Sequence, residues 1–263
     1  MTDWLHIAQG DAPLVVAFPH TGTDLAGCTF ASEWLARRDA DWWIDEVYDY
    51  ARTLGATTIR TTVSRSVIDV NRDPSGASLY PGMATTGLCP EETFDGEPLQ
   101  TLAPDEIERR RLAYHAPYHA ALAAEIARLR GGHARVVLYD AHSIRSVIPR
   151  LFDGELPMFN IGTNEGTTCA PELEAAIAQV CAASSESHVV NGRFKGGWTT
   201  RHYGDPPGGV HAVQMELAMR AYLTEPDNPT PDNWPLRPDP RRLTILQPVL
   251  ARVLDACLAF AGD

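Results

Sequence analysis

Two short hydrophobic segments are each followed closely by a histidine, and these two histidines are the strongest metal-ligand candidates in the chain. Residues 14–18 (LVVAF) lead to His20, and residues 136–139 (VVLY) lead to His142. Short apolar segments rich in β-branched residues are typical of buried parallel strands. Ligands of open α/β sheets bind beyond the carboxyl ends of such strands. The pattern therefore predicts that the two imidazoles meet at one site.

A catalytic zinc site commonly combines two imidazoles with one carboxylate and leaves a position open for water. The sequence contains no HExxH motif, so the carboxylate must come from elsewhere. Asp24, Asp41 and Asp140 are the candidates, and Asp140 could instead orient an imidazole as a supporting partner. Each histidine could equally be a polar residue satisfied at a strand end. Spacing alone leaves the metal and structural interpretations evenly balanced.

Glu216 lies in an apolar segment, between Met215 and Leu217. Carboxylates are seldom buried without a specific reason. Partial burial would raise the pKa of Glu216, which suits a general base that takes a proton from a metal-bound water. The alternative is a salt bridge to Arg220, four residues further along a helix. The two interpretations are comparable.

Asn71 and Arg72 follow the apolar segment 66–70, which is predicted as a strand. A guanidinium at a strand's carboxyl end could pair bidentately with a substrate carboxylate beside the metal. The alternative is an ion pair between Arg72 and a neighbouring aspartate, Asp69 or Asp73.

Three cations, Arg193, Lys195 and Arg201, lie in a glycine-rich stretch over 191–209. On so acidic a chain they would create a local anion site. The alternative is a solvated basic loop.

His115 and His119 have the spacing of two ligands on one helix face. Pro117 separates them and no third ligand is adjacent, so a surface or capping role is favoured.

The hydrophobic pattern predicts the elements that position these residues. Strands are predicted over 14–18, 59–63, 66–70, 136–139, 159–162, 187–190 and the start of 212–223, and helices over 31–54, 104–130, 170–183 and 241–260. The aspartates at 39–41 and Pro117 are expected to interrupt the first two helices. Residues 73–103 are rich in Gly, Pro, Thr and Ser and are predicted as a long loop, which is usually functional.

The bulk properties narrow the class of protein. A chain of 263 residues without a clear linker is expected to form a single domain over 1–263. A net charge of −12 argues against nucleic acid or an anionic membrane as a partner. We find no apolar run long enough for a bilayer and no signal peptide. Five scattered cysteines without CxxC argue against disulfides or a thiolate zinc site and favour a cytoplasmic protein. The absence of GxSxG disfavours covalent catalysis.

Nine segments together resemble the N-formylglutamate amidohydrolase (deformylase) family. They include FPHTGT at 18–23, SRSVIDVNR at 64–72, LYDAHSIRS at 138–146 and HAVQMEL at 211–217. The others cover 41–44, 86–90, 159–164, 191–197 and 200–204. The resemblance extends over most of the chain, and its specificity lies in the order and length of the segments.

The resemblance implies an α/β fold like that of the zinc carboxypeptidases and aspartoacylases, in which helices flank a mixed sheet and zinc lies at the strand ends. It implies hydrolysis of N-formyl-L-glutamate to formate and L-glutamate, a step of histidine degradation. His20 and His142 match the metal histidines, Glu216 matches the general base, and Arg65 is the candidate for polarising the scissile carbonyl. The substrate carboxylates would be held by Asn71, Arg72 and one or more of Arg145, Arg193 and Arg201.

The chain departs from the wider superfamily at one point. There the metal glutamate lies three residues after the first histidine, and here that position is Thr23. Another carboxylate must complete the site, and Asp41 is favoured over Asp24. Two other functions stay open: a zinc amidase acting on another N-acyl amino acid, and a metabolite-binding protein without catalysis. The sequence leaves open the oligomeric state and whether another divalent metal replaces zinc.

Overall fold

The computed structural model describes residues 3–78, 82 and 84–262, and within them seven strands form one mixed sheet. The strands are β1 (Leu5–Ala8), β2 (Leu14–Phe18), β3 (Thr57–Thr61), β4 (Val136–Ile144), β5 (Phe159–Gly162), β6 (His188–Val190) and β7 (Val210–Ala218). Their order across the sheet is β1-β3-β2-β4-β7-β5-β6. The four central strands are parallel, and β1 and β5 join them in antiparallel pairs. This is the predicted single-domain α/β fold with a mixed sheet.

Helices flank the sheet. They are α1 (Leu35–Arg38), α2 (Ile44–Val47), α3 (Pro104–Arg110), α4 (Ala116–Arg130), α5 (Pro171–Ala182), α6 (Trp198–Tyr203) and α7 (Pro240–Gly262). The helix predicted over 31–54 is broken at the aspartates, as expected. The one predicted over 104–130 is interrupted by a π-helical turn, Arg111–His115, directly before the segment that contains Pro117.

The central strands bury both of their faces, which explains why they are apolar throughout. Alternate residues of β2 and β4 point to opposite sides, because side chains of a strand alternate with a period of two. Val16 and Tyr139 belong to a core shared with α5 and α7, whereas Val15 and Leu138 pack on α4. The sheet is therefore held rigidly between two helical layers, and its strand ends form a firm base for a site.

Helix α7 is long and apolar enough to cross a membrane by length and composition alone. No segment long enough for a bilayer is predicted from the sequence. Several of its apolar side chains, among them Leu250, Val253 and Leu254, are fully buried in the core that α7 shares with β2 and β4. This packing is that of a core helix on a sheet.

The strand predicted over 66–70 is wrong, and the strand predicted over 59–63 lies two residues earlier, at Thr57–Thr61. Residues 64–68 form a turn instead: the Ser64 hydroxyl accepts a hydrogen bond from the Ser66 N–H, and the Ser64 carbonyl accepts one from the Val67 N–H. Val67 and Ile68 are buried in a small separate core with Leu88 and Cys89. Their apolar character reflects this local packing rather than a place in the sheet.

The candidate metal centre and its cavity

His20, Asp41 and His142 converge at the carboxyl end of two neighbouring strands. Because β2 and β4 are parallel partners, His20, just after β2, and His142, near the end of β4, reach the same edge of the sheet. The Asp41 N–H donates to the His20 carbonyl at 2.9 Å, which brings the segment between α1 and α2 across this edge. One ligand atom from each residue lies within 4.8 Å of the others, and all three residues are buried.

The structure distinguishes the three carboxylates that are candidates for the third ligand. Asp41 lies between the two imidazoles, with its Oδ2 3.1 Å from His142 Nδ1 and 3.7 Å from His20 Nδ1. Asp140 lies behind His142, 3.0 Å from Nε2. Asp24 is exposed, and its Oδ1 accepts a hydrogen bond from the Ala26 N–H. Asp41 is thus the carboxylate that shares a centre with both histidines.

Each histidine has a carboxylate behind it. His20 Nε2 is 2.6 Å from Asp69 Oδ1, in the same relation as His142 Nε2 to Asp140. An Nε2–H donated to a carboxylate fixes the tautomer and leaves the Nδ1 lone pair for the centre. His20 Nδ1 is buried and has no hydrogen-bond partner among the described residues. Two imidazole nitrogens and a carboxylate oxygen aimed at one point fit a divalent cation such as zinc.

Buried carboxylates surround the centre. Burial alone would raise the pKa of Asp41, but the adjacent imidazoles of His20 and His142 outweigh it and hold that pKa below its ordinary value. Burial likewise opposes ionisation of Asp69, and Arg72, His20 and Arg65 together hold its pKa well below the ordinary value. A bound cation would balance this negative charge.

Glu216 faces the same centre from β7. The parallel register of β4 and β7 pairs it with His142. Its side chain is 6% exposed, and one carboxylate oxygen accepts a hydrogen bond from Gln214 Nε2 at 3.2 Å. Burial raises the pKa of Glu216 to about 8; His142 and Arg65 oppose this shift, while Asp41 and Asp140 add to it. Such a pKa suits proton transfer near neutral pH.

The salt bridge proposed as the alternative for Glu216 does not form. Arg220 lies in a 3₁₀ turn after β7, and its Nη2 is 3.5 Å from Glu155 instead. Because the segment stays extended to Ala218, the chain rises by about 3.3 Å per residue and carries Arg220 away from Glu216 instead of placing it one helical turn further on.

Arg65 is buried beside the centre. Its Nη2 donates to Asp69 at 2.7 Å, and its Nη1 is 3.5 Å from Asp41. Its guanidinium carbon lies 4.8 Å from the centre of the Phe94 ring. The turn that begins at Ser64 holds it here, so its position depends on the segment that was wrongly predicted as a strand.

A cavity opens over the centre. Its lining contains His20, Arg65, Asn71, Arg72, Phe94, His142, Ile144, Leu151, Arg193, Phe194, Gly197, Gln214 and Glu216, together with residues 84–86. Three of the five predicted substrate-binding residues, Asn71, Arg72 and Arg193, are therefore beside the centre.

Arg145 and Arg201, the other two predicted substrate-binding residues, lie outside this lining. Arg145 Nη2 pairs with Asp95 at 2.5 Å and with Asp39 at 3.2 Å. Arg201 Nε donates to the Gly196 carbonyl at 3.0 Å.

Asn71 and Arg72 are fixed in different ways. The Asn71 amide donates to Asp140 at 3.1 Å and accepts the Thr199 N–H at 2.8 Å, so it supports the partner of His142. Arg72 donates from Nε and Nη2 to the carbonyl and hydroxyl of Thr86, and its Nη1 is 3.5 Å from Asp69. The guanidinium of Arg193 donates to the Leu151 and Ala84 carbonyls.

The surface or capping role predicted for His115 and His119 is wrong, because both are buried. His115 Nε2 is 3.0 Å from the Arg72 carbonyl, and His119 Nε2 is 2.7 Å from the Val70 carbonyl. Their spacing showed that they share a helix face, but it carried no information on what that face covers.

Asp69, the partner of His20, was not selected from the sequence as a site residue. The pattern Asp69-x-Asn71 was a usable signal, since Asp69 Oδ1 accepts the Asn71 N–H as in an Asx turn.

Comparison with known proteins identifies the family. Residues 12–223 match the model of the N-formylglutamate amidohydrolase family. The chain belongs to this family. The N-formylglutamate deformylase of Pseudomonas aeruginosa is 48% identical over 86% of this chain and 87% of its own. That of Pseudomonas putida is 45% identical over 98% of this chain and 97% of its own. The chain is therefore an enzyme, a hydrolase.

Two solved structures share the fold. An N-formylglutamate amidohydrolase from Ralstonia eutropha JMP134 superposes with a TM-score of 0.79 at 24% identity, covering 98% of this chain and 97% of its own. A gene product of Agrobacterium tumefaciens superposes with a TM-score of 0.72 at 16% identity, covering 99% and 96%. At these identities the likeness supports the fold alone.

Acid is expected to destabilise this amidohydrolase through His119. Burial lowers the pKa of His119 to about 3, against 6.5 for an ordinary histidine, and His115 and His202 add to the effect. Between these two pH values the unfolded chain binds the extra proton, so stability falls as the pH drops below about 6.5, by roughly 1.4 kcal/mol per pH unit. His119→Gln should lose less stability than the native chain between pH 6.5 and 5. Equal losses in urea unfolding at the two pH values would contradict this.

Gly197→Ala is expected to disturb the cavity wall. A Cβ at Gly197 would lie 2.5 Å from Asn71 Nδ2, and the Gly197 N–H donates to Gln214 at 2.6 Å. Overpacking of this kind costs roughly 1–3 kcal/mol. Denaturant unfolding measures the loss, with Gly87→Ala as control because a Cβ there meets open space. Equal stability of the two variants would contradict the expected clash.

Proposed function

We propose that this enzyme hydrolyses N-formyl-L-glutamate to formate and L-glutamate, as a step of histidine degradation in the cytoplasm. The observation that carries the proposal is the buried group His20, Asp41 and His142 beside Glu216, under a cavity that contains arginines. The high identity to two enzymes named N-formylglutamate deformylase supports the choice of substrate. All five cysteines are free, which is compatible with a reducing compartment.

We propose zinc as the metal and His20, Asp41 and His142 as its ligands. Three features support this choice: the donor set, the Nδ1 of His20, which has no hydrogen-bond partner in the described part of the chain, and the carboxylates behind both imidazoles. When bound, the metal would lower the pKa of a water and polarise the formyl oxygen. A relation to the zinc carboxypeptidase and aspartoacylase fold is part of the same proposal.

Glu216 is the proposed general base. It would take a proton from the attacking water and deliver it to the leaving nitrogen of glutamate, which must depart as an amine rather than an anion. Its position on β7, in register with His142, places it beside the centre for both transfers, and a pKa raised by burial favours delivery of the proton to the leaving nitrogen.

Arg65 is proposed to stabilise the oxygen that becomes negatively charged as the water attacks the formyl carbon. Its ion pairs with Asp69 and Asp41 hold the guanidinium rigidly at the centre. Because it is fixed before substrate arrives, little reorganisation is needed during the reaction.

N-formyl-L-glutamate carries two carboxylates, which calls for cations in the cavity. Arg72 and Arg193 line the cavity and are proposed to hold them, since a guanidinium matches a carboxylate bidentately. Asn71 completes the proposed contact set from the same wall. Arg145 and Arg201 lie outside the lining, so contact with the substrate is assigned first to Arg72 and Arg193.

A formate-release assay tests the proposal. The zinc-loaded enzyme should release formate from N-formyl-L-glutamate, lose this activity with a chelator and regain it when zinc is restored. N-acetyl-L-glutamate and N-acetyl-L-aspartate, tested in parallel, separate a deformylase from an amidase for larger acyl groups. Faster turnover of an acetyl substrate, or substrate binding without formate release, would overturn the assignment.

A further inference from the structure

Two buried histidines, His115 and His119, contact the backbone of the segment 69–72. A carbonyl oxygen only accepts hydrogen bonds, so His115 and His119 must each carry a proton on Nε2 to bond the Arg72 and Val70 carbonyls. His115 is 2% exposed and His119 is 8% exposed. Removing a buried donor leaves its carbonyl partner unsatisfied, and this is costly.

The segment 69–72 supplies three side chains around the centre. Asp69 supports His20, Asn71 contacts both Asp140 and His142, and Arg72 lines the cavity. Since this segment is not a strand, the sheet does not fix its backbone. We propose that His115 and His119 are positioning residues, which fix the segment 69–72 so that Arg72 can hold a substrate carboxylate and Asp69 can support His20. The part that concerns substrate rests on the proposed function.

The surroundings of the pair favour this role. The π-helical turn ends at His115, and α4 begins directly after it. The centres of the two imidazole rings lie 4.4 Å apart, with their planes at 44° to one another. Turns of this kind are frequent at functional sites. The Trp198 ring lies 4.5 Å from the His119 ring, and Trp198 adjoins Gly197, whose backbone packs against Asn71. The pair thus connects the π-helical turn and α4 to the segment 69–72, and its contact with Trp198 leads to the cavity wall beside Asn71.

Variants with and without a donor isolate the hydrogen bonds. His115→Phe and His119→Phe keep a ring but lose the donor, whereas His115→Gln and His119→Gln keep an N–H that can reach the carbonyl. His133→Phe is the matched control, because His133 Nε2 is 2.8 Å from the Asp11 carbonyl. His133 is not part of the cavity lining.

Two measurements read the effect. The first is amide hydrogen exchange of the segment 69–72, which should be about tenfold faster in the phenylalanine variants and near native in the glutamine variants and the control. The second is steady-state kinetics with N-formyl-L-glutamate: His115→Phe should raise KM about tenfold and change kcat less than threefold, with rescue by His115→Gln.

The outcomes separate this inference from the proposed function. Native exchange rates in the phenylalanine variants, or glutamine variants as fast as the phenylalanine ones, would overturn the inference whatever the substrate is. Should the native enzyme release no formate, the proposed function fails and hydrogen exchange still decides the role of the histidines. If a phenylalanine variant does not fold, ¹⁵N spectra of the native imidazoles decide, because Nδ1–H instead of Nε2–H at either histidine would contradict the bonds.

Discussion

Glu216→Gln should lower kcat for N-formyl-L-glutamate by about 10³-fold and leave zinc and substrate binding nearly unchanged. A general base contributes typically 10²–10⁴-fold to a rate, and the amide that replaces the carboxylate cannot take a proton. Glutamine matches the shape of glutamate and can still bond Gln214, so the centre should keep its geometry. Formate release and zinc content per chain measure the two halves of the prediction.

The control for this prediction is Glu125→Gln. Glu125 on α4 is as buried as Glu216, at 6% exposure, and its carboxylate bonds Gln9 and Arg128 far from the cavity. Its replacement should leave kcat unchanged. A fall of kcat in both variants would mean that loss of a buried carboxylate harms the fold in general. Native kcat in Glu216→Gln would remove Glu216 from the mechanism.

The meeting of His20 and His142 could be predicted from the sequence because it depends on strand ends alone. Parallel strands that are neighbours in the sheet present their carboxyl ends at one edge, and both strands were visible as continuous apolar segments. The pairing of Glu216 with His142 follows from the same rule, since β7 is the other parallel neighbour of β4. The meeting of side chains that lie on the strands of the sheet could therefore be predicted from the hydrophobic pattern.

The positions of side chains that lie on turns or helix faces could not be predicted from the hydrophobic pattern. Val67, Ile68 and Val70 make this segment apolar enough to predict a strand, but they pack into local cores around a serine turn. The arrangement of Arg65 and Asp69 depends on that turn, and no hydrophobic period reveals it. The position of Asp41 between the two imidazoles likewise depends on a long-range contact, the hydrogen bond from its N–H to the His20 carbonyl.

The burial of His115 and His119 shows a related limit. Helical spacing tells which residues share a face, but an irregular loop lies against that face, and its position depends on the rest of the fold. The same holds for Arg145. It comes three residues after His142, yet its guanidinium pairs with Asp39 and Asp95 instead of facing the cavity.

Asp41→Asn should lower zinc affinity far more than the loss of a supporting carboxylate does. Loss of a supporting carboxylate, as in Asp69→Asn, costs typically about 10–100-fold in metal affinity. Asp41 lies between the two Nδ1 atoms, and its replacement would exchange a charged carboxylate, the proposed ligand, for a neutral amide that binds zinc far more weakly. Asp24→Asn should bind zinc like the native enzyme, because Asp24 is exposed and bonds only its own turn among the contacts described for its side chain.

Competition with a chromophoric chelator would rank the zinc affinities of the three aspartate variants and the native enzyme. Ligand binding to the folded state stabilises it in proportion to the logarithm of ligand concentration over Kd, so the rise in Tm on adding zinc should shrink in the same order. His20→Ala and His142→Ala should lose zinc as Asp41→Asn does, since each removes one of the three converging atoms. Zinc lost from Asp24→Asn but kept in Asp41→Asn would place the third ligand before α1 and overturn the proposed centre. The order Asp41, Asp69, Asp24 follows from their positions, because Asp41 faces the Nδ1 atoms of both imidazoles, Asp69 lies behind His20, and Asp24 is exposed. The test therefore depends on the ranking of all three variants.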